Sequence, residues 1–150
     1  MSFYLTIPLI AFVLNLSLAL FLISRQRAKL LHRVFFLFLI SIALWGLFIW
    51  KMRTGADLNQ ALYWERATFV AFPAIAILFY HFTLLLSGLR RGWSIVLAYS
   101  LMVLFMILAV ATDLVIPGMQ VKSYGYAPIM GPLCPLYTII FYFFTIWGLL

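Results

Sequence analysis

Charge placement constrains this chain more than any other feature. Its thirteen acidic and basic residues fall in short stretches between long runs that carry none. From Leu133 to Leu150 there is no charged residue. At about 1.5 Å per helical residue, such a run nearly crosses the ~30 Å hydrocarbon core of a bilayer. The 150 residues are 67% hydrophobic and 9% charged. A water-soluble domain has about half apolar and a quarter charged residues. No segment between the apolar runs is long enough to bury a core in water. The predicted fold is an all-α, polytopic membrane bundle of about five spans, at residues 3–24, 34–50, 58–86, 94–112 and 133–150, forming one domain.

The first span has no basic leader and no small-residue cleavage site before Arg25, so it reads as a retained helix rather than a signal peptide. The second ends on Trp50, Lys51 and Arg53, an interfacial anchor. Thr54-Gly-Ala-Asp57 is then a tight turn. Asp57 followed by Gln60 has capping-box spacing, which starts the third helix near Leu58. That helix is longer than the membrane is thick, so Leu58–Arg66 is expected to protrude. Pro73 in its interior removes an N–H and predicts a kink. Ser87–Trp93 is a basic turn. In the connection Asp113–Pro132, Ile116-Pro-Gly-Met119 reads as a turn with Gly118 at positive φ, and Gln120–Tyr126 as a small hairpin.

Orientation follows from Lys and Arg. Six of them (Arg25, Arg27, Lys29, Arg33, Arg90 and Arg91) follow spans one and three, against Lys51, Arg53, Arg66 and Lys122 on the other side. The predicted N-terminus is outside, and the fifth span leaves toward the cytoplasm. The net charge of +7 lies between apolar runs, which suits the anionic cytoplasmic leaflet rather than nucleic acid. Lipid and other helices, of this protein, of a second copy or of a larger complex, are the expected partners.

Few residues suggest chemistry. No ionisable group is placed deep in a span, which argues against a pump or secondary transporter. The single cysteine, Cys134, leaves no internal disulfide and reads as a packed helix residue. His32 and His81 both fall toward the inner leaflet, where a haem between two helices would find them. The plainer reading makes His32 interfacial and His81 an interhelical hydrogen-bonding group, and no cofactor is expected. Met102 and Met106 read as a packing stripe, and Phe141–Phe144 as packing and lipid-facing groups. No nucleophile with a base, phosphate loop or nucleotide fingerprint occurs, so no enzyme is read from these residues. The outer face gathers Lys51, Arg53, Asp57, Glu65, Arg66, Asp113 and Lys122 with Tyr63, Trp64, Tyr124 and Tyr126. Of these, Lys51, Arg53, Glu65, Arg66, Asp113, Tyr124 and Tyr126 form the candidate small-ligand site. Ordinary interfacial anchoring is the competing reading.

Several motifs in order resemble the seven-helix N-terminal sensor region of bacterial histidine kinases and diguanylate cyclases. They are the basic first loop, Ile42-Ala-Leu-Trp45-Gly in the second span, and Asn59-Gln-Ala-Leu-Tyr-Trp-Glu-Arg66 entering the third. Phe79-Tyr-His-Phe-Thr83, Tyr124-Gly-Tyr126 and Gly131-Pro-Leu-Cys-Pro-Leu-Tyr137 complete the set. The resemblance implies an outside-to-inside bundle in the bacterial inner membrane. It further implies two more spans and a cytoplasmic output module after Leu150, and it carries no binding residues over. The expected function is signal input, with an external or intramembrane signal relayed to that output. The alternatives are a small accessory subunit of a respiratory or photosynthetic complex and, behind it, an electron-transfer protein.

Overall fold

Asp57 starts the longest helix as its spacing predicts. Its carboxylate accepts from the Gln60 N–H at 2.7 Å, while the Gln60 side chain reaches back to the Ala56 N–H at 2.6 Å. One of the donors a helix start leaves unpaired, the Gln60 N–H, is thereby satisfied, and the Ala56 N–H of the preceding turn is held with it. In the computed structural model, which describes residues 3–25, 29–89, 92–123 and 125–150, the chain orders as α1 (Phe3–Arg25), α2 (Leu30–Arg53), α3 (Leu58–Ser87), α4 (Gly92–Ala111), β1 (Gly118–Lys122), β2 (Gly125–Ile129) and α5 (Cys134–Leu149). Arg27, Arg90 and Arg91 of the charge count lie outside the described residues.

Helices α1 to α4 are each long and apolar enough to cross a membrane, and α5, with 16 residues, is a shorter apolar helix. The second helix runs beyond the predicted 34–50 at both ends and takes in His32, Arg33, Lys51 and Arg53. Nothing in Leu30–Arg33 or Lys51–Arg53 breaks a helix, and long basic side chains reach polar surroundings from its ends. Helix α3 continues through Pro73 from Leu58 to Ser87 and closes on Gly88, whose left-handed φ of 71° lets its N–H return to the Leu84 carbonyl.

Helix α3 is the hub. Helices α2, α4 and α5 and both strands pack on it, and α1 packs on α2. Large apolar side chains such as Phe3, Ile10, Leu14, Leu18 and Phe21 on α1, and Val96, Leu104 and Ile107 on α4, stand exposed. In water such faces would drive association. In a bilayer they face chains as apolar as themselves. The bundle therefore coheres by close packing and polar links rather than by hydrophobic expulsion.

Close approach is visible at Gly46, where an added Cβ would lie 2.9 Å from the Pro8 carbonyl oxygen and 3.3 Å from the Phe12 nitrogen. The aromatic core joins α3, α4 and α5. Tyr137 and Phe141 lie 5.0 Å apart by ring centroids, Phe105 lies 5.6 Å from Tyr137, and Phe69 lies 5.1 Å from Tyr137. On α5, Phe141 and Phe144 face inward while Tyr142 and Phe143 face outward, so the aromatic run divides between packing and lipid as expected.

The long connection is more ordered than a plain loop. Strands β1 and β2 pair antiparallel from Gly118↔Ile129 to Lys122↔Gly125, which extends the predicted hairpin by several residues. Gly118 is not the positive-φ turn residue. It opens β1, and the positive φ falls on Gly125, at 121°, beside the chain reversal. Val115 and Ile116 are fully buried. The Gly131 N–H bonds Val115 and the Leu133 N–H bonds Leu114, at 2.8 and 2.9 Å, locking the start of α5 against the end of the α4 segment. The hairpin packs through Met119 and Tyr126 against Met52, Ala61 and Trp64, covering the end of the bundle where α2 stops and α3 begins.

Candidate functional site

Two prolines organise the polar groups at this end. A helical proline leaves the carbonyl four residues earlier without its N–H partner. Pro73 frees the Phe69 carbonyl, and the Tyr137 hydroxyl of α5 donates to it at 2.7 Å. Pro8 frees the Tyr4 carbonyl, and Arg53 of α2 donates to it through Nη1. The Arg53 guanidinium also lies 3.6 Å from the centre of the Tyr4 ring, a cation–π contact. Each carbonyl opened by a proline is closed by a side chain from another helix.

Arg53 and Tyr137 line the same cavity. Helices α2 and α5 both lean on α3 and leave about 310 Å³ between them. Helix α2 contributes Trp45, Ile49, Met52 and Arg53 to its wall. Helix α3 contributes Glu65, Thr68, Phe69 and Phe72, and α5 contributes Tyr137, Thr138 and Tyr142. Glu65 is only 7% exposed and forms no salt bridge among the described residues. The Thr68 hydroxyl donates to the Glu65 main-chain carbonyl at 2.6 Å and lies within reach of its carboxylate. Burying a carboxylate without a bonded cation is costly, and only the Thr68 hydroxyl and the nearby Arg53 charge offset that cost at Glu65.

The seven residues of the candidate site therefore separate. Arg53 and Glu65 meet in the cavity. Arg66 and Asp113 form a bracket instead: Arg66 pairs with Asp113 at 2.5 Å and donates to the Val110 and Ile116 carbonyls at 3.3 and 3.2 Å. It thus holds the end of α4 and the buried loop onto α3. Lys51 is exposed and lies over the Trp50 and Trp64 rings at 5.3 and 5.9 Å. Tyr126 packs beneath the hairpin. Tyr124 lies outside the described residues.

Sequence reasoning overlooked Tyr137, Trp45, Thr68 and Thr138 as members of a polar site. Pro8 and Pro73 carried the usable signal, because each announces an open carbonyl four residues earlier. The histidines also separate. His81 bonds the Tyr99 hydroxyl of α4 at 2.9 Å, the interhelical role expected of it. Nδ1 of His32 is buried without a partner among the described residues. Cys134 is a buried free thiol directed at the Met130 sulfur, 3.3 Å away.

A family model described as the N-terminal 7TM region of histidine kinase matches residues 7–150. The chain belongs to this family. No curated protein and no solved structure matches it. The chain is thus sensor-region sequence of a multi-pass membrane protein, and such a region is not itself catalytic. In this sensor region the cavity between α2, α3 and α5 is the place where a buried carboxyl group, two residues of interhelical links and aromatic walls coincide.

Proposed function

We propose that the chain is the membrane-embedded input of a signal-transduction protein of the bacterial inner membrane. Its N-terminus is outside, and it passes an external or intramembrane signal to a cytoplasmic kinase or cyclase module. Family membership supports the input role. The observation that carries the site is the shared wall of the cavity, since an occupant touches α2, α3 and α5 at once. A ligand shifts a two-state equilibrium only by the difference between its contacts in the two states. A cavity bounded by three helices converts a change in helix spacing into such a difference. The cavity shares only Glu65 with the receiving surface expected on the loop 113–132 and the start of α3, and no residue of that loop lines it.

The test uses the full-length protein in proteoliposomes with output activity as the readout. Thr138→Trp fills the cavity from α5 and is expected to hold the output at one level, insensitive to stimulus. Glu65→Gln is expected to shift the basal level. Wild-type output from both variants would refute the site. Co-purification with a respiratory or photosynthetic complex, with no output module attached, would establish the accessory-subunit reading in its place.

A further inference from the structure

The cavity has an electrostatic signature that narrows its occupant. It presents one buried carboxylate and one guanidinium, and these do not pair with each other. Among the described residues Glu65 has no salt-bridge partner and feels Arg53 only through space, while Arg53 spends Nη1 on the neutral Tyr4 carbonyl and its buried Nε meets no acceptor. Opposite charges facing a common space without pairing are each incompletely compensated, and in surroundings poor in water that deficit is large. A lone cation would answer Glu65 but meet Arg53, and a lone anion would meet Glu65. A molecule bearing both charges answers both.

The remaining wall is aromatic and apolar, with Trp45, Phe69, Phe72 and Tyr142. The volume of about 310 Å³ lies at the small end of ligand pockets, which suits a single small molecule rather than a peptide. We propose that the cavity binds a free zwitterion of amino-acid type with an apolar or aromatic side group. Its ammonium lies against Glu65, its carboxylate reaches Arg53, and its side group lies among Phe69, Phe72 and Trp45. This assignment rests on the cavity being the input site, and it names the ligand class for that site.

The test is binding to the full-length protein in phosphatidylglycerol nanodiscs, read by Trp fluorescence and by thermal midpoint. Three probes of one shape are used: L-phenylalanine carries both charges, its amide only the cation, and its N-acetyl derivative only the anion. The zwitterion is expected to bind at least about tenfold more tightly than either analogue, the loss expected for one charge-assisted hydrogen bond. Glu65→Gln is expected to erase the preference over the N-acetyl compound, and Arg53→Gln the preference over the amide. Equal affinity for the three probes, or no response to millimolar zwitterion, overturns the assignment, and this comparison stands on the wild type alone if either variant fails to fold. Competition by phosphatidylethanolamine added to the nanodiscs would assign the site to a lipid headgroup and also overturn it. A stimulus-blind Thr138→Trp output alongside absent zwitterion binding would leave the input site standing and remove only the ligand class.

Discussion

Replacing Tyr137 with Phe removes one hydroxyl and little else. The ring is 2% exposed, and its contacts with Phe69, Phe72, Phe105 and Phe141, at centroid distances of 5.1, 5.8, 5.6 and 5.0 Å, survive in phenylalanine. What is lost is the 2.7 Å bond to the Phe69 carbonyl. Leaving a buried acceptor unmet costs about 1–3 kcal/mol, whereas interhelical hydrogen bonds in membranes average ~0.6 kcal/mol because alternative partners are usually at hand. Here the usual alternative, the helix's own N–H four residues on, is absent because residue 73 is proline. The expected cost therefore lies toward the higher range, about 1.5 kcal/mol.

The control is Pro73→Ala, which restores that N–H. In the Pro73→Ala background, Tyr137→Phe is expected to cost no more than ~0.5 kcal/mol, a coupling of about 1 kcal/mol in the double-mutant cycle. Reversible unfolding of the four proteins in mixed micelles measures it. An equal cost of Tyr137→Phe in both backgrounds would show that the proline-freed carbonyl is not what the hydroxyl serves.

Arg66→Ala is expected to destabilise the protein by more than Asp113→Asn, by about 1–2 kcal/mol. Arg66 serves two backbone carbonyls besides its ion pair and is 22% exposed, whereas Asp113 is 76% exposed and its half of the pair is screened; unfolding midpoints of the two variants rank them. Gly46→Leu is expected to separate α1 from α2, because even a Cβ meets the Pro8 carbonyl at 2.9 Å, and a disulfide trap between cysteines placed on the two helices would then form more slowly. Asp57→Ala removes the α3 cap and is expected to cost about 1 kcal/mol, while Asp57→Asn retains most of it, by the same unfolding assay. Cysteine introduced at Lys122 is expected to react with a membrane-impermeant maleimide on intact cells and cysteine at Lys29 only after permeabilisation; the reverse pattern inverts the topology.

The sequence revealed what depends on local rules. Four helix positions, the Asp57 cap and the hairpin all follow from uncharged apolar runs, capping spacing and turn chemistry. The α2 ends reach past the uncharged run because a basic residue does not end a helix and only moves its tip toward polar surroundings. The Pro-Gly pair points to a positive-φ turn at Gly118, but the strand register puts Gly118 at the start of β1 and the positive φ at Gly125. The site was half legible. Arg53 and Glu65 stood among the outer-face charges, yet nothing local indicates that Glu65 turns inward or that Tyr137, 72 positions along the chain, closes the same space. Those facts belong to helix rotation and packing, which are set by the bundle as a whole.

The two proline-freed carbonyls matter beyond stability because of which residues close them. Arg53 ties α2 to α1 and Tyr137 ties α5 to α3, and both form the cavity wall. In a bilayer the apolar faces of these helices gain little from packing over lipid, so a few polar links of ~0.6 to 1.5 kcal/mol weigh heavily in the balance between arrangements. Coupling free energies between ligand and response are of similar size, about 1–3 kcal/mol. An occupant that draws on Arg53 does so in competition with the Tyr4 carbonyl, and one that crowds Tyr137 acts against the Phe69 link. On the proposed reading, cavity occupancy and helix spacing draw on the same bonds, which is the physical requirement for a small molecule to move a transmembrane bundle.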